Sequence, residues 1–173
     1  GGEDFNEVVF DNVLVPKDRV VGEPGKGWAQ VTSELAYERS GPERFLSAYR
    51  VFVELVRICG DQPTSEQAAA IGRIASHFMT LRRMSISVAG MLEQGKDVVV
   101  EAALVKELGN NFEKLLPEIA RTVVPDLSLE NPEAQRLFRQ TFEETMLLSP
   151  SFTLRGGTRE ILRGVIARGL GLR

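Results

Sequence analysis

The sequence has one cysteine, Cys59, and one histidine, His77. A single thiol cannot close an internal disulfide and a single imidazole leaves no room for a histidine-rich zinc site, so both kinds of scaffold are excluded and no metal is expected. Neither sign of charge dominates: 21 Lys+Arg stand against 24 Asp+Glu, a net charge of -3. That balance gives no electrostatic footprint for nucleic acid. Long apolar runs are missing too. Stretches such as the valines at 98–100 fall far short of the roughly 20 residues of a membrane span, and none is expected. The opening Gly-Gly-Glu-Asp-Phe has neither the basic nor the apolar region of a signal peptide, so the expected compartment is reducing and cytoplasmic. What remains is the composition of a soluble globular chain. Its 173 residues are 43% hydrophobic and 26% charged, apolar enough to bury a core and too apolar for disorder.

The chain changes character near residue 25. Residues 5–21, FNEVVFDNVLVPKDRVV, cluster Val and Phe in short runs separated by Asp11-Asn12 and Pro16-Lys17-Asp18, a pattern of one or two strands with turns. Two strands alone are marginal in water, so they either lie on the helices that follow or belong to a sheet not contained in the chain. The segment GEPGKG at 22–27 breaks regular structure and marks a boundary.

Helical periodicity follows. Apolar residues at Trp28, Val31, Leu35, Phe45, Tyr49, Phe52 and Val56 predict a first helix over 27–58, kinked at Ser40-Gly41-Pro42 because proline offers no N–H to the preceding turn. Gly60 and Pro63 end it. Thr64-Ser-Glu-Gln67 has capping-box spacing and opens a second helix to about Gln94, with Gly95 as its stop. A third spans 98–122. A fourth starts at Asn131-Pro132-Glu133 and runs to about Leu147, with Pro150 just beyond, and a last one begins near Thr158. The predicted fold is all-α: an antiparallel, up-and-down four-helix bundle with a short N-terminal β segment.

Glu38 stands out on the first helix. It lies seven residues after Val31, three after Leu35 and seven before Phe45, which puts a carboxylate on the apolar stripe. On pattern alone the simpler reading is a stripe edge, the carboxylate leaning into solvent or pairing with an arginine. The sharper one is a carboxylate in an apolar pocket, its pKa raised by desolvation into the range of a general base. In the tail, Arg155-Gly156-Gly157-Thr158 places two glycines before a capping threonine. Such a turn lets backbone approach a flat or anionic group, and equally serves as a plain turn into a helix. His77 and Cys59 read as packed residues, and Arg82-Arg83 and Lys26 as solvated ones. No P-loop, nucleophile elbow or Cys-x-x-C occurs.

The run FNEVVFDNVLVPKDRVVGEPGKGWAQVTSELAYERSG resembles a junction in the acyl-CoA dehydrogenase family, where the last strands of a middle β-domain pass through a Val-Pro segment and a Gly-rich turn into a C-terminal bundle. The tail LSPSFTLRGGTREILRGVIARGLGLR resembles that family's closing segment, with Gly-Gly-Thr-x-Glu-Ile-x-Arg and a Leu-Gly-Leu ending. The resemblance covers the whole chain and about the C-terminal half of a family member. It implies that 1–25 is a remnant of the middle β-domain and linker and that 26–173 is the helical bundle domain.

It also implies a chemistry. Most members oxidise the α,β bond of an acyl-CoA thioester: a glutamate removes the α-proton while the β-hydride passes to N5 of FAD. In one branch that glutamate directly precedes the Gly-Thr of the tail motif, a position held here by Gly156. In the other it sits on the first bundle helix before a characteristic arginine, here Glu38-Arg39. The two positions converge in space in the family. The resemblance therefore makes Glu38 the catalytic base, has Arg39 and Gly156 shape the substrate site, and sets Gly157 and Thr158 near the FAD. The implied partners are an acyl-CoA substrate, an electron-transfer protein as acceptor, and further subunits in a homo- or hetero-oligomeric dimer or tetramer. The 173 residues alone are expected neither to retain FAD nor to turn over.

Two family segments differ. Where members often carry Arg-x-Phe-Gly after the first helix, this chain has RICGDQPTSEQ; where many carry Gln-Ile-x-Gly-Gly-x-Gly before the fourth, it has IARTVVPDLSLE. Both usually reach the FAD of a neighbouring subunit. The alternatives these differences leave are a non-catalytic or half-site subunit of a heteromeric enzyme, and a related flavin-dependent acyl-CoA oxidase.

Overall fold

The computed structural model describes residues 6–124 and 132–172. The Asn131 cap expected from the sequence lies outside them. The chain divides into two compact units, 1–33 and 34–173, and the division falls within the first helix.

In the first unit the expected strands do not form: the described residues from 6 to 26 contain one 3-10 turn, Lys17–Arg19, and no strand. A strand is stable only when a neighbour takes up its N–H and C=O groups. The backbone bonds here are turn bonds, such as Arg19 N–H to the Pro16 carbonyl at 3.0 Å and Lys26 N–H to that of Glu23 at 3.0 Å. Val8, Val9, Phe10, Leu14 and Val21 keep their side chains exposed. The loop at 22–27 turns through Gly22 and Gly25, at φ 77° and 85°, a region costly for residues with a Cβ.

Six helices follow, among the described residues: α1 (Gly27–Ser40), α2 (Tyr49–Cys59), α3 (Ser65–Glu93), α4 (Val99–Val123), α5 (Pro132–Phe152) and α6 (Arg159–Gly169). The long first helix expected from periodicity is two helices. Pro42 does not kink it but ends it, and a 3-10 turn, Pro42–Arg44, redirects the chain into α2. At the other end, α5 carries Pro150 within its last turn and runs on to Phe152.

Local chemistry fixes the remaining ends. Thr64 and Gln67 form the reciprocal capping box: Gln67 N–H donates to Thr64 Oγ1 at 3.2 Å, and Thr64 N–H to Gln67 Oε1 at 2.9 Å. Gln67 also donates from Nε2 to the Val123 carbonyl at 3.2 Å, tying the start of α3 to the end of α4. Gly95, at φ 69°, closes α3 with bonds from Gly95 N–H to Leu92 and Lys96 N–H to Met91, the paired pattern of a left-handed helix stop.

The second unit packs around α4, which touches α2, α3, α5 and α6. Its core joins Val51 and Leu55 of α2, Ile74, Phe78 and Leu81 of α3, Val105, Phe112 and Leu116 of α4, and Phe138 of α5. Phe112 sits edge-on to Phe78 at 4.8 Å and stacks on His77 at 4.9 Å, so the lone histidine is a packing partner of the core. No helix among the described residues is long and apolar enough to cross a membrane.

Candidate functional site

Four elements converge on the last turn of α1. Arg39 is buried there, and its Nε donates to the carbonyl of Gly156 at 3.0 Å, joining α1 to the turn before α6. Burial pulls the Arg39 guanidinium below its ordinary value, with the neighbouring Glu38 charge acting the other way. The 3-10 turn after α1 supplies Arg44. It donates from Nη2 to Glu38 Oε1 at 2.6 Å and from Nε to the Glu38 backbone carbonyl at 2.8 Å. This double grip fixes the carboxylate against the end of its own helix.

Arg44 reaches this position because α4 carries Gly109 opposite it. A Cβ at Gly109 would run into the Arg44 carbonyl, so the 3-10 turn lies directly on the α4 backbone. From α4 come three polar side chains, Lys106, Asn110 and Glu113, spaced one to two turns apart on a face otherwise made of Ala102, Val105, Phe112 and Leu116. Lys106 is fully buried and donates from Nζ to Asn110 Oδ1 and to the Phe152 carbonyl, the latter at 3.0 Å. Burial, and then the positive charges of Arg44 and Arg155, bring its ammonium down to about 8; Glu113 and Glu38 oppose this. Glu113, also fully buried, accepts from Ser47 N–H at 2.8 Å and from Arg155 Nη2 at 3.2 Å.

The Gly156-Gly157 turn closes the group. Both glycines adopt left-handed backbone, φ 66° and 112°. A Cβ built on Gly156 would meet Glu38 Oε1 at 3.3 Å, Lys106 Cε at 3.6 Å and Arg44 Cζ at 3.7 Å; one on Gly157 would meet Arg39 Nη2 at 3.6 Å. Thr158 precedes α6 without a side-chain cap bond to it. Glu160's own backbone N–H, and then the Thr158 hydroxyl, bond the Glu160 carboxylate and hold that acid below its usual range. A Cβ-free turn ahead of an uncapped helix start can receive a flat ring or an anionic group closely.

Glu38, Arg39, Gly156, Gly157 and Thr158 thus belong to one locality. The surroundings of Glu38 differ from the apolar pocket considered from the sequence. On this chain its neighbours are Arg44 and Lys106, and its side chain is 40% exposed. Trp28 and Val31, which defined the stripe with it, are exposed. A part-exposed carboxylate paired with an arginine matches the simpler stripe-edge reading; periodicity did not identify that arginine as Arg44 of the 3-10 turn, nor Lys106 on another helix. A signal for the latter existed: Lys106, Asn110 and Glu113 recur at core spacing within an apolar helix face. An apolar groove of about 500 Å³ between α3 and α4, beside Met79, Met84 and Met91, involves none of these residues.

No protein-family model matches the sequence. Among curated proteins, the chain is 31% identical to acyl-CoA dehydrogenase IpdE1 of Mycolicibacterium smegmatis, over 99% of this chain and 43% of the relative. It is 28% identical to acyl-CoA dehydrogenase IpdE1 of Mycobacterium tuberculosis, over 99% of this chain and 45% of that protein. Acyl-CoA dehydrogenase FadE34 of Mycobacterium tuberculosis is 29% identical over 96% of this chain and 22% of its own length. The chain therefore spans less than half the length of each relative.

Proposed function

We infer that this chain, which belongs with the acyl-CoA dehydrogenases over 96–99% of its length, is the C-terminal helical domain of an enzyme that dehydrogenates the α,β bond of an acyl-CoA thioester. The observation that carries the reading is the Glu38 carboxylate held beside the Cβ-free turn at Gly156. The same reading takes the four long helical stretches as an antiparallel up-and-down bundle, with 1–25 as the end of a β-domain whose remaining strands would cover its exposed valines.

In this reading Glu38 is the base. A thioester α-proton is weakly acidic, so the base must be ionised at rest, fixed in direction and close to the substrate. Arg44 fixes the direction by pairing with Oε1 and binding the carbonyl of the same residue. Gly156 provides access, since any larger residue there would press on the carboxylate. Arg39 keeps the turn in place through the Gly156 carbonyl. Gly157 and Thr158 would border the isoalloxazine of FAD. When bound, FAD supplies the acceptor for the β-hydride. Electrons would leave to a protein acceptor, and neighbouring subunits would complete the cofactor site.

The deciding experiment is Glu38→Gln in the intact protein. It should still bind FAD and acyl-CoA while turnover falls by about 10²–10⁴-fold; undiminished turnover removes Glu38 from the mechanism. The 173 residues alone should be colourless, and a yellow preparation of them would contradict the division of labour proposed here.

A half-site subunit is the second reading, suggested by the sequence RICGDQPTSEQ across the connection between α2 and α3, which departs from the Arg-x-Phe-Gly that the family resemblance leads one to expect there. One FAD per protomer in the intact homo-oligomer would exclude it. Rapid oxygen consumption during turnover would point instead to the oxidase.

A further inference from the structure

We propose that Lys106 is a positioning residue for Glu38: its buried ammonium, anchored by Asn110 and the Phe152 carbonyl beneath the Gly156 turn, places a positive charge beside the Glu38 carboxylate. The proposal deepens the reading of Glu38 as the base and rests on it.

The geometry singles Lys106 out. Glu38 Oε1 and Lys106 Cε both lie within 4 Å of the point that a Gly156 Cβ would occupy, at 3.3 and 3.6 Å. The two side chains are thus within about 7 Å of each other, a range at which unit charges in a protein interior still interact appreciably. Among the described residues no carboxylate pairs directly with the ammonium, whose bonds go to neutral oxygens. A fully buried cation without a direct counter-ion, repelled by Arg44 and Arg155, lowers stability. An apolar residue of the same length would pack there without that penalty, so the charge itself is what the position supplies. The groups that face it are Glu38 from α1, Arg44 from the 3-10 turn, Asn110 and Glu113 from α4, and Arg155 from the turn before α6. Glu107, the next residue of α4, is engaged by Arg159 and Arg163 of α6.

The consequence is a charge beside the base that disappears as pH rises past about 8. While Lys106 is protonated, its field favours the Glu38 carboxylate.

The test uses the intact protein with FAD and three variants. Carbon-13 NMR of glutamate-labelled protein, with the Glu38 signal assigned by its loss in Glu38→Gln, reads the carboxyl directly and without turnover. In wild type the signal should show an inflection near pH 8, where the neighbouring Lys106 loses its proton. Lys106→Met should abolish the inflection. Asn110→Asp, which places a carboxylate on the ammonium and leaves Lys106 in place, should move the inflection upward, and it serves if Lys106→Met does not fold. The pH profile of kcat/KM should follow both shifts. Glu38 titrations that superpose in all three proteins would overturn the proposal, whatever Glu38→Gln does to activity. Undiminished turnover in Glu38→Gln with shifted titrations would remove the base and leave the coupling.

Discussion

The Cβ that Gly156 lacks would lie 3.3 Å from Oε1 of Glu38, and the adjacent Arg39 bonds the Gly156 carbonyl across 117 residues of sequence. One end of the chain therefore supplies a carboxylate and the other a gap beside it. The gap has two origins, the absence of a side chain and a backbone at φ 66°.

Gly156→Ala meets both. An L-residue in left-handed backbone costs about 1–2 kcal/mol, and the new methyl lies inside ordinary contact distance of the carboxylate. Denaturant unfolding should show a loss of about 1–2 kcal/mol, and turnover of the intact protein should fall because Glu38 is displaced. Unchanged stability would mean that the turn relaxes out of the left-handed region.

The sequence showed the helix starts and stops best, because these depend on neighbours in the chain: the Thr64–Gln67 box, the Gly95 stop and the Gly-Gly turn before Thr158 are all local. It put Glu38 at a stripe edge able to lean into solvent and pair with an arginine, but did not say which residues surround it. Arg44 grips Glu38 from a 3-10 turn that the periodicity had absorbed into one long helix, and Lys106 arrives from α4. The N-terminal strands failed for the opposite reason. Residues 6–21 carry the right pattern, yet a strand is a property of a pair, and no pairing strand occurs among the described residues.

The ion pair between Arg44 and Glu38 should be measurable as a coupling. Arg44 is nearly buried while Glu38 is 40% exposed, so water screens one side of the pair. A double-mutant cycle with Arg44→Gln and Glu38→Gln should give a coupling of about 1 kcal/mol. A value indistinguishable from zero would reduce Arg44 to a link to the Glu38 carbonyl.

Glu113 is a stronger structural demand. Its fully buried carboxylate satisfies Ser47 N–H and one face of the Arg155 guanidinium. Glu113→Ala leaves both donors without their acceptor and should cost about 3–5 kcal/mol in urea unfolding. Glu113→Gln retains an acceptor for Ser47 and should cost less; equal losses would show that the negative charge carries the whole effect.

Lys106 gives stability an unusual pH dependence. Its folded pKa of about 8 lies below the ordinary 10.5. Below pH 8 both folded and unfolded states are protonated and the penalty is constant. Between about 8 and 10.5 the unfolded chain holds the proton and the folded one does not, so stability should rise with pH. The informative quantity is the difference between wild type and Lys106→Met, in which contributions common to both proteins cancel. That difference should change across this window by an amount on the order of 3 kcal/mol. A flat difference would place the ammonium in contact with water.

Gly109→Ala separates helix propensity from packing. Within an exposed helix, replacing glycine with alanine stabilises by roughly 1 kcal/mol. At Gly109 the methyl group would enter the space of the Arg44 carbonyl, and backbone cannot step aside as a flexible side chain can. The substitution should therefore destabilise, by about 1–3 kcal/mol as for other overpacked sites. The 3-10 turn would be pushed off α4, taking Arg44 from Glu38, so activity of the intact protein should fall beyond what the stability loss explains. Adding Gly156→Ala tests whether the two glycines serve one purpose. If both act by holding the Glu38 carboxylate, the double variant should lose little more activity than the worse single one; if they act separately, the losses should multiply.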